Sequence, residues 1–110
     1  MRILTHLAAA AVALATVSAA AQAQEKQWTN VRIGVDATYP PFESVDAAGN
    51  FQGFSIDIAN ALCERMKVTC EFTNQDWEGI IPALQANKFD AIISSMSITE
   101  ERKKQVDFTN

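Results

Sequence analysis

A carboxylate and an aromatic ring lie close together after the first apolar run that follows the N-terminal segment. They are Asp36 and Tyr39, just before the pair Pro40-Pro41. A carboxylate attracts a cationic group by charge, and an aromatic face adds a cation–π contact. The pair therefore predicts a site for a cationic or amine-bearing ligand. The alternative is that Asp36 caps a turn and Tyr39 packs in the core.

Three hydroxyl groups follow a later apolar run, at Ser94, Ser95 and Ser97. Hydroxyls both donate and accept hydrogen bonds, so these serines are candidate contacts to a small polar ligand, with ordinary loop chemistry as the alternative. We do not expect a serine nucleophile, because the sole histidine, His6, lies in the N-terminal segment and supplies no base.

Arg102 falls in the first turn of a short predicted helix that begins near Ser97. Backbone N–H groups in a first turn favour an anion, and the arginine fork binds a carboxylate through two hydrogen bonds. The alternative is a solvated arginine paired with Glu101. Trp77 is a further candidate, either as the wall of a pocket or as part of the core.

Strand-like runs and helix-like periods alternate along the chain. They predict strands at 31–35, 68–72 and 89–93, helices at 55–66 and 77–87, and a start of another strand at 106–108. We interpret residues 37–43 as a loop, because a strand or helix interior does not tolerate two prolines, and residues 46–50 as a turn. The alternation predicts an α/β domain with a parallel sheet, whose carboxyl edge would carry Asp36 and Ser94.

The helical segments show apolar faces and candidate caps. One stripe of the first helix contains Phe54, Ile58, Leu62 and Met66. We predict Ser55 as the N-cap of this helix and Asp76 as the N-cap of the next one, which Pro82 should kink.

The N-terminus has the form of a secretory signal peptide. Arg2 precedes an apolar run at 7–17, and an A-x-A pattern at 21–23 predicts cleavage after Ala23. A membrane anchor is the alternative, but the run is shorter than the roughly 20 residues that a spanning helix needs. Residues 24–110 then amount to one small domain at most. The net charge of −4, with no basic cluster, argues against nucleic-acid binding.

Cys63 and Cys70 are the two cysteines of the chain. An even number in an exported protein predicts a disulfide, and the rival interpretation, half of a zinc site, lacks further ligands. The sequence shows no metal-ligand spacing, phosphate-binding glycine loop or acid–base pair, so we expect no metal and no cofactor.

Several segments, in this order, resemble the family-3 extracellular solute-binding proteins: 31–44, 49–66, 76–102 and 106–110. The resemblance covers 31–110 and is greatest to the lysine/arginine/ornithine- and histidine-binding branch. It implies a fold of the type II periplasmic-binding-protein kind, in which two α/β lobes close over one amino acid. Family members are more than twice as long, so residues 24–110 would be the N-terminal part of lobe 1, with the second lobe absent.

The resemblance also implies roles for individual residues. Asp36 would meet the distal cationic group of the ligand, and Tyr39 and Trp77 would flank its side chain. Ser94 and Ser95 would make polar contacts, and Ser97 and Arg102 would hold the α-carboxylate. The pair Cys63 and Cys70 resembles the disulfide of that branch.

The expected function is that of a monomeric periplasmic receptor, without catalysis, that delivers a polar and cationic amino acid to an ABC permease. Lysine, arginine, ornithine and histidine are the expected ligands. Three alternatives stay open at this point. They are a periplasmic cyclohexadienyl or arogenate-type dehydratase of the same fold, a sensor or transglycosylase module, and a non-functional truncated remnant.

Overall fold

The computed structural model describes residues 25–109, so the predicted signal peptide lies outside the described part of the chain. In chain order the elements are β1 (Asn30–Val35), β2 (Thr38–Tyr39), β3 (Glu43–Val45), β4 (Phe51–Gln52), α1 (Phe54–Met66), β5 (Thr69–Asn74), α2 (Trp77–Gln85), β6 (Ala91–Ile92) and α3 (Glu100–Lys103). Residues 106–108, where a further strand was expected, form none. No helix within residues 25–109 is long and apolar enough to span a bilayer.

The main sheet is parallel, in the order β5-β1-β6. Its central strand, β1, pairs with β5 along its whole length and with β6 through Gly34 and its neighbour Ile33. Ile33 and Val35 are buried, which explains why this strand is an apolar run. The predicted α/β class and parallel sheet are confirmed.

A second, small antiparallel sheet of β2, β3 and β4 corrects the prediction of a loop at 37–43. Tyr39 pairs with Glu43 across β2 and β3. The two prolines occupy the connection between the strands, joined by a cis peptide bond, and Phe42 N–H donates to the Tyr39 carbonyl at 3.0 Å. Proline is excluded from a strand interior but not from a turn, so its presence did not rule out the flanking strands.

Helix α1 packs on one face of the main sheet through Ile56, Ala59 and Cys63, which are buried. The apolar stripe seen in the sequence lies elsewhere on the helix. Its four members are between 43% and 63% exposed: Phe54, Ile58, Leu62 and Met66. The face of α1 that meets the sheet therefore carries smaller side chains than the exposed face.

The start of α1 differs from the prediction that Ser55 is its N-cap. The N-cap is Gly53, which makes no side-chain hydrogen bond, while Ser55 is already inside the helix and buried. Gly53 has a φ of 121°, and a Cβ there would collide with the carbonyl group of Phe42. Only glycine fits this conformation and this close approach.

A disulfide joins the end of α1 to β5, as predicted. Cys63 and Cys70 are bonded, with their Cα atoms 5.9 Å apart. Lys67 ends the helix in the left-handed conformation, and Val68 N–H donates to the Cys63 carbonyl at 3.0 Å. The bridge therefore closes a tight turn between the helix and the strand that it feeds.

Helix α2 packs on the opposite face of the sheet. Ile80, Ala83 and Phe89 form a second buried cluster, and Phe89 lies against Gly34 of β1. Since alternate residues of a strand point to opposite faces, Gly34 faces this cluster while Ile33 faces α1. Asp76 occupies the N-cap of α2 as predicted, although its side chain makes no capping hydrogen bond.

An ion pair ties the approach to β6 to the central strand. Arg32 Nη2 and Nε lie 2.8 Å and 3.1 Å from the two carboxylate oxygens of Asp90, and Arg32 N–H donates to the same carboxylate at 2.9 Å. The hydrogen bond from the Arg32 side chain, followed by the backbone hydrogen bond, lowers the pKa of Asp90. The pair thereby fixes the strand that leads to Ser94.

Candidate functional site

A cavity of about 360 Å³ opens at the carboxyl edge of the parallel sheet. This volume lies in the usual range for small-molecule sites, and the edge is where α/β sheets bind ligands. Its lining residues follow β1, belong to the small sheet, begin α2 or follow β6: Asp36, Thr38, Tyr39, Glu43, Trp77, Ser94 and Ser95. Five predicted site residues therefore meet at one cavity.

Asp36 is held in place by hydrogen bonds on both sides. Its backbone N–H donates to Ser94 Oγ at 2.8 Å, and Thr38 Oγ1 donates to its Oδ1 at 2.7 Å. The next N–H, of Ala37, donates to Asn74 Oδ1 at 3.0 Å. The loop that carries the carboxylate is thus bound to the end of β5 through Asn74 and to the segment after β6 through Ser94. Ser94 therefore helps to orient Asp36.

The two aromatic residues of the cavity remain accessible. Tyr39 is 57% exposed and Trp77 is 38% exposed, so neither is a core residue. The Tyr39 ring stacks on Phe42, with centroids 5.3 Å apart and an interplanar angle of 30°. Accessible rings with a supported orientation are suited to contact a ligand side chain.

Ser95 links the cavity to a buried carboxylate. Its hydroxyl donates to Glu43 Oε2 at 3.1 Å and lies 3.4 Å from Ser55 Oγ. Ser95 also has a φ of 52°, in the left-handed region that non-glycine residues seldom occupy. Such a conformation is typical of residues whose surroundings determine their backbone, and these residues cluster at functional sites.

Ser97 and Arg102 pair with each other but do not line the cavity. Arg102 Nη1 donates to the Ser97 carbonyl at 2.8 Å and to Ser97 Oγ at 3.1 Å. Thr99 caps α3 by accepting from Arg102 N–H at 3.1 Å. The Arg102 guanidinium lies 5.3 Å from the centroid of the Trp77 ring. Trp77 therefore borders both the cavity and the arginine.

Two residues of the cavity were missed by the sequence analysis, Thr38 and Glu43. Thr38 could have been found from its position two residues after Asp36, where a hydroxyl reaches a carboxylate. Glu43 had no such signal, because it follows two prolines in a segment interpreted as a loop. Its place in the cavity depends on the hairpin that the small sheet forms.

The charged residues that line the cavity are all acidic. Its lining contains the carboxyl groups of Asp36 and Glu43 and no lysine, arginine or histidine. Within residues 25–109 no cluster of histidine, cysteine, aspartate and glutamate has the composition of a metal site. The arrangement can therefore bind a cation through carboxylates, hydroxyls and aromatic faces.

Residues 31–110 match the sequence profile of the bacterial extracellular solute-binding proteins, family 3. The chain belongs to this family. The family resemblance described above is thereby confirmed.

Proteins of known function are similar to most of the chain. The L-arginine-binding protein of Pseudomonas aeruginosa is 52% identical over 91% of the chain, and the lysine/arginine/ornithine-binding periplasmic protein of Escherichia coli is 46% identical over 88%. The chain spans 38% and 37% of the lengths of these two relatives.

Solved structures agree with this assignment. An ancestral arginine-binding protein bound to arginine is 49% identical, with a TM-score of 0.73, over 76% of this chain and 37% of its own. The arginine-bound domain 1 of TmArgBP is 43% identical, with a TM-score of 0.70, over 74% of this chain and 64% of its own. A third, an ancestral amino-acid-binding protein described as a precursor of cyclohexadienyl dehydratase, is 51% identical with a TM-score of 0.71, over 74% of this chain and 36% of its own.

Proposed function

We propose that this chain is the N-terminal, ligand-binding part of a periplasmic receptor that delivers a cationic amino acid to an ABC permease. The observation that carries the proposal is the cavity at the sheet edge, where Asp36 shares the lining with the accessible rings of Tyr39 and Trp77 and no lysine, arginine or histidine takes part. The similar proteins named for binding arginine or lysine support it.

The distal cation of the ligand is assigned to Asp36. Thr38 donates to one oxygen of this carboxylate, and none of the hydrogen bonds in residues 25–109 reaches the other oxygen. A cationic side chain would form a charge-assisted hydrogen bond there while its methylene groups contact Tyr39 and Trp77. Glutamine, which is neutral, would gain less from the same contact.

The α-carboxylate of the ligand is assigned to Arg102. All the side-chain hydrogen bonds described for Arg102 leave from Nη1, which leaves Nε and Nη2 as donors for an anion. Since Trp77 borders both Arg102 and the cavity, a bound amino acid would run past the indole with its two charged ends on opposite sides. Ser97 would hold the guanidinium in this orientation.

Binding without catalysis is part of the proposal. The relatives of known function are named as binding proteins, whereas one structural neighbour is the precursor of a dehydratase. The cavity offers Asp36 and Glu43 as carboxyl groups, and both serve as hydrogen-bond acceptors for neighbouring hydroxyls. Release of phenylpyruvate from prephenate by the purified chain would contradict this part of the proposal.

The location and the domain boundaries are also proposals. We assign residues 1–23 to a signal peptide that directs residues 24–110 to the periplasm. The oxidising periplasm suits the disulfide between Cys63 and Cys70. Mass spectrometry of the exported protein should give an N-terminus at Gln24, and an uncleaved chain would argue for a membrane anchor.

The ligand can be tested with thermal melts of the exported chain in arginine, lysine, histidine and glutamine at millimolar concentration. We expect the cationic amino acids to raise the melting midpoint. Asp36→Asn should weaken arginine binding by about 10- to 100-fold, because one hydrogen bond to a charged group is lost. Asp57→Asn removes the same charge from an exposed position of α1 and should leave arginine binding unchanged. Equal binding of arginine by Asp36→Asn and wild type would refute the assignment.

A further inference from the structure

Asn74 contacts the segment that carries Asp36 but does not itself line the cavity. It is the last residue of β5, where it pairs with Val35 of β1. Its side-chain oxygen, Oδ1, accepts a hydrogen bond from Ala37 N–H at 3.0 Å. Ala37 comes directly after Asp36 and is 7% exposed, so Asn74 satisfies the N–H of a buried residue next to the carboxylate.

This hydrogen bond continues the parallel ladder beyond the end of its strands. The last backbone bond between β1 and β5 runs from Gln75 N–H to the Val35 carbonyl at 2.9 Å. In a longer ladder a backbone carbonyl of β5 would accept from Ala37 N–H. The side chain of Asn74 takes the place of that carbonyl. Since a buried N–H without an acceptor costs free energy, the position of Ala37 depends on this side chain.

A side chain also replaces the ladder on the opposite side of β1. The last backbone bond to the β6 side runs from Ile93 N–H to the Gly34 carbonyl at 3.2 Å, and Asp36 N–H then donates to Ser94 Oγ at 2.8 Å. Asp36 is therefore tied toward β6 and Ala37 toward β5. The segment that bears the carboxylate has one side-chain anchor on each side.

We infer that Asn74 is a positioning residue, which holds the Asp36 carboxylate in place through Ala37 and so sets the preference of the cavity for cationic over neutral amino acids. This inference rests on the proposed function. A charge-assisted hydrogen bond is strong and depends on geometry, so a displaced carboxylate loses more energy with a cation than with a neutral group. Asn74 is itself exposed, so water can replace its oxygen as an acceptor but does not fix Ala37. Loss of the side chain should therefore affect selectivity more than stability.

The test is calorimetric binding of arginine and citrulline to the exported chain and to variants at position 74. Citrulline has the shape of arginine but no charge. Asn74→Ala removes the acceptor, whereas Asn74→Asp keeps an oxygen at the same place. Asn74→Ala is also combined with Asp36→Asn, which removes the charge that Asn74 would position. Asn60→Ala removes an exposed asparagine of α1 and is the matched control.

We expect Asn74→Ala to weaken arginine binding by about 3- to 10-fold, the equivalent of one hydrogen bond, and citrulline binding by less than about twofold. In the Asp36→Asn background the same change should alter arginine binding by less than about twofold, because no charge is left to position. Asn74→Asp should restore most of the arginine binding, since it keeps the acceptor. Asn60→Ala should behave as wild type with both amino acids.

Other results would overturn the inference. Equal losses for arginine and citrulline, or the same loss in the Asp36→Asn background, would show that Asn74 only supports the fold. Unchanged arginine binding by Asn74→Ala would exclude a role in binding, and an equal loss with Asn74→Asp would exclude the acceptor as the cause.

A second variant covers the case in which Asn74→Ala does not melt cooperatively. Asn74→Gln keeps the amide but moves its oxygen by one methylene group, and it should show the same greater loss for arginine than for citrulline. Equal binding of arginine by Asn74→Gln and wild type would then refute the inference. Failure of the wild type to bind arginine would instead refute the proposed function itself.

Discussion

Gly34 lies in β1 against the ring of Phe89, and this contact predicts a strong energetic coupling. A Cβ built on Gly34 would lie 2.5 Å from Cε2 and Cζ of Phe89 and 2.8 Å from Cδ2. Phe89 is 1% exposed and packs with Ile80 and Ala83, so the ring cannot move away freely. The change Gly34→Ala should therefore overpack this cluster.

The expected magnitudes follow from the atoms that are added or removed. Overpacking by Gly34→Ala should cost roughly 1–3 kcal/mol of unfolding free energy, despite a small gain in backbone entropy. Phe89→Leu removes about three ring carbons at ~0.8 kcal/mol each, or about 2 kcal/mol. In the double variant the new methyl group enters the space that the ring has left. Its total loss should be near that of Phe89→Leu alone.

The assay is equilibrium urea unfolding of the oxidised protein, followed by the fluorescence of its two tryptophans, Trp28 and Trp77. The double variant should be more stable than the sum of the single changes predicts, by about 1–3 kcal/mol, the cost of Gly34→Ala alone. Gly34→Ala combined with Ile56→Val, on the other face of the sheet, should be additive. Additivity within about 0.5 kcal/mol in the Gly34 and Phe89 pair would refute the proposed contact.

Further predictions concern the disulfide, the ion pair and the exposed helix face. Replacing both Cys63 and Cys70 by alanine should lower the unfolding free energy by roughly 2–3 kcal/mol, because the closed loop is short; equal stability of oxidised and reduced protein in urea would contradict this. The lowered pKa of Asp90 means that its contribution to stability is present above its ordinary pKa of about 4 and is lost as the pH falls through the lowered value. Asp90→Asn should therefore lower stability at pH 7 and reduce its decline between about pH 5 and pH 2, and melting curves with the same pH dependence as wild type would refute this role. Leu62→Gln should change stability by less than about 0.5 kcal/mol, as at other exposed positions, whereas Ile56→Val should cost about 0.5–1.5 kcal/mol in the same melts. A larger loss for Leu62→Gln would mean that the exposed face of α1 is covered.

The parallel sheet could be predicted from the sequence because its strands and the helix between them have distinct local patterns. An apolar run at β1 and an alternating strand pattern at β5, separated by a helical period, are sufficient to imply a βαβ unit. The carboxyl ends of its strands then follow from chain direction alone. For this reason Asp36 and Ser94 could be assigned to one edge before their contacts were known. The disulfide was equally local, since Cys63 and Cys70 flank a single helix-to-strand turn.

The placement of α1 shows what the period of a helix does not determine. The stripe that begins at Phe54 and the set Ile56, Ala59 and Cys63 both have helical spacing, and the larger side chains form the exposed one. A helical repeat shows which residues share a face of the helix. Which of these faces meets the sheet depends on the shape of the sheet surface. Ile56, Ala59 and Cys63 meet Ile33 and Val35 of the sheet in one buried cluster, and this packing is tertiary.

The sequence by itself determined the family, the α/β class, the disulfide and the edge where Asp36, Ser94 and their neighbours would gather, because each depends on residue order and local period. The tertiary structure decided that Glu43 is buried and lines the same cavity as Asp36, and that Arg102 lies near Trp77, which also lines that cavity. Both facts result from how distant segments pack against one another. Burial and charge balance at a site depend on that packing, and no local pattern along the chain specifies it.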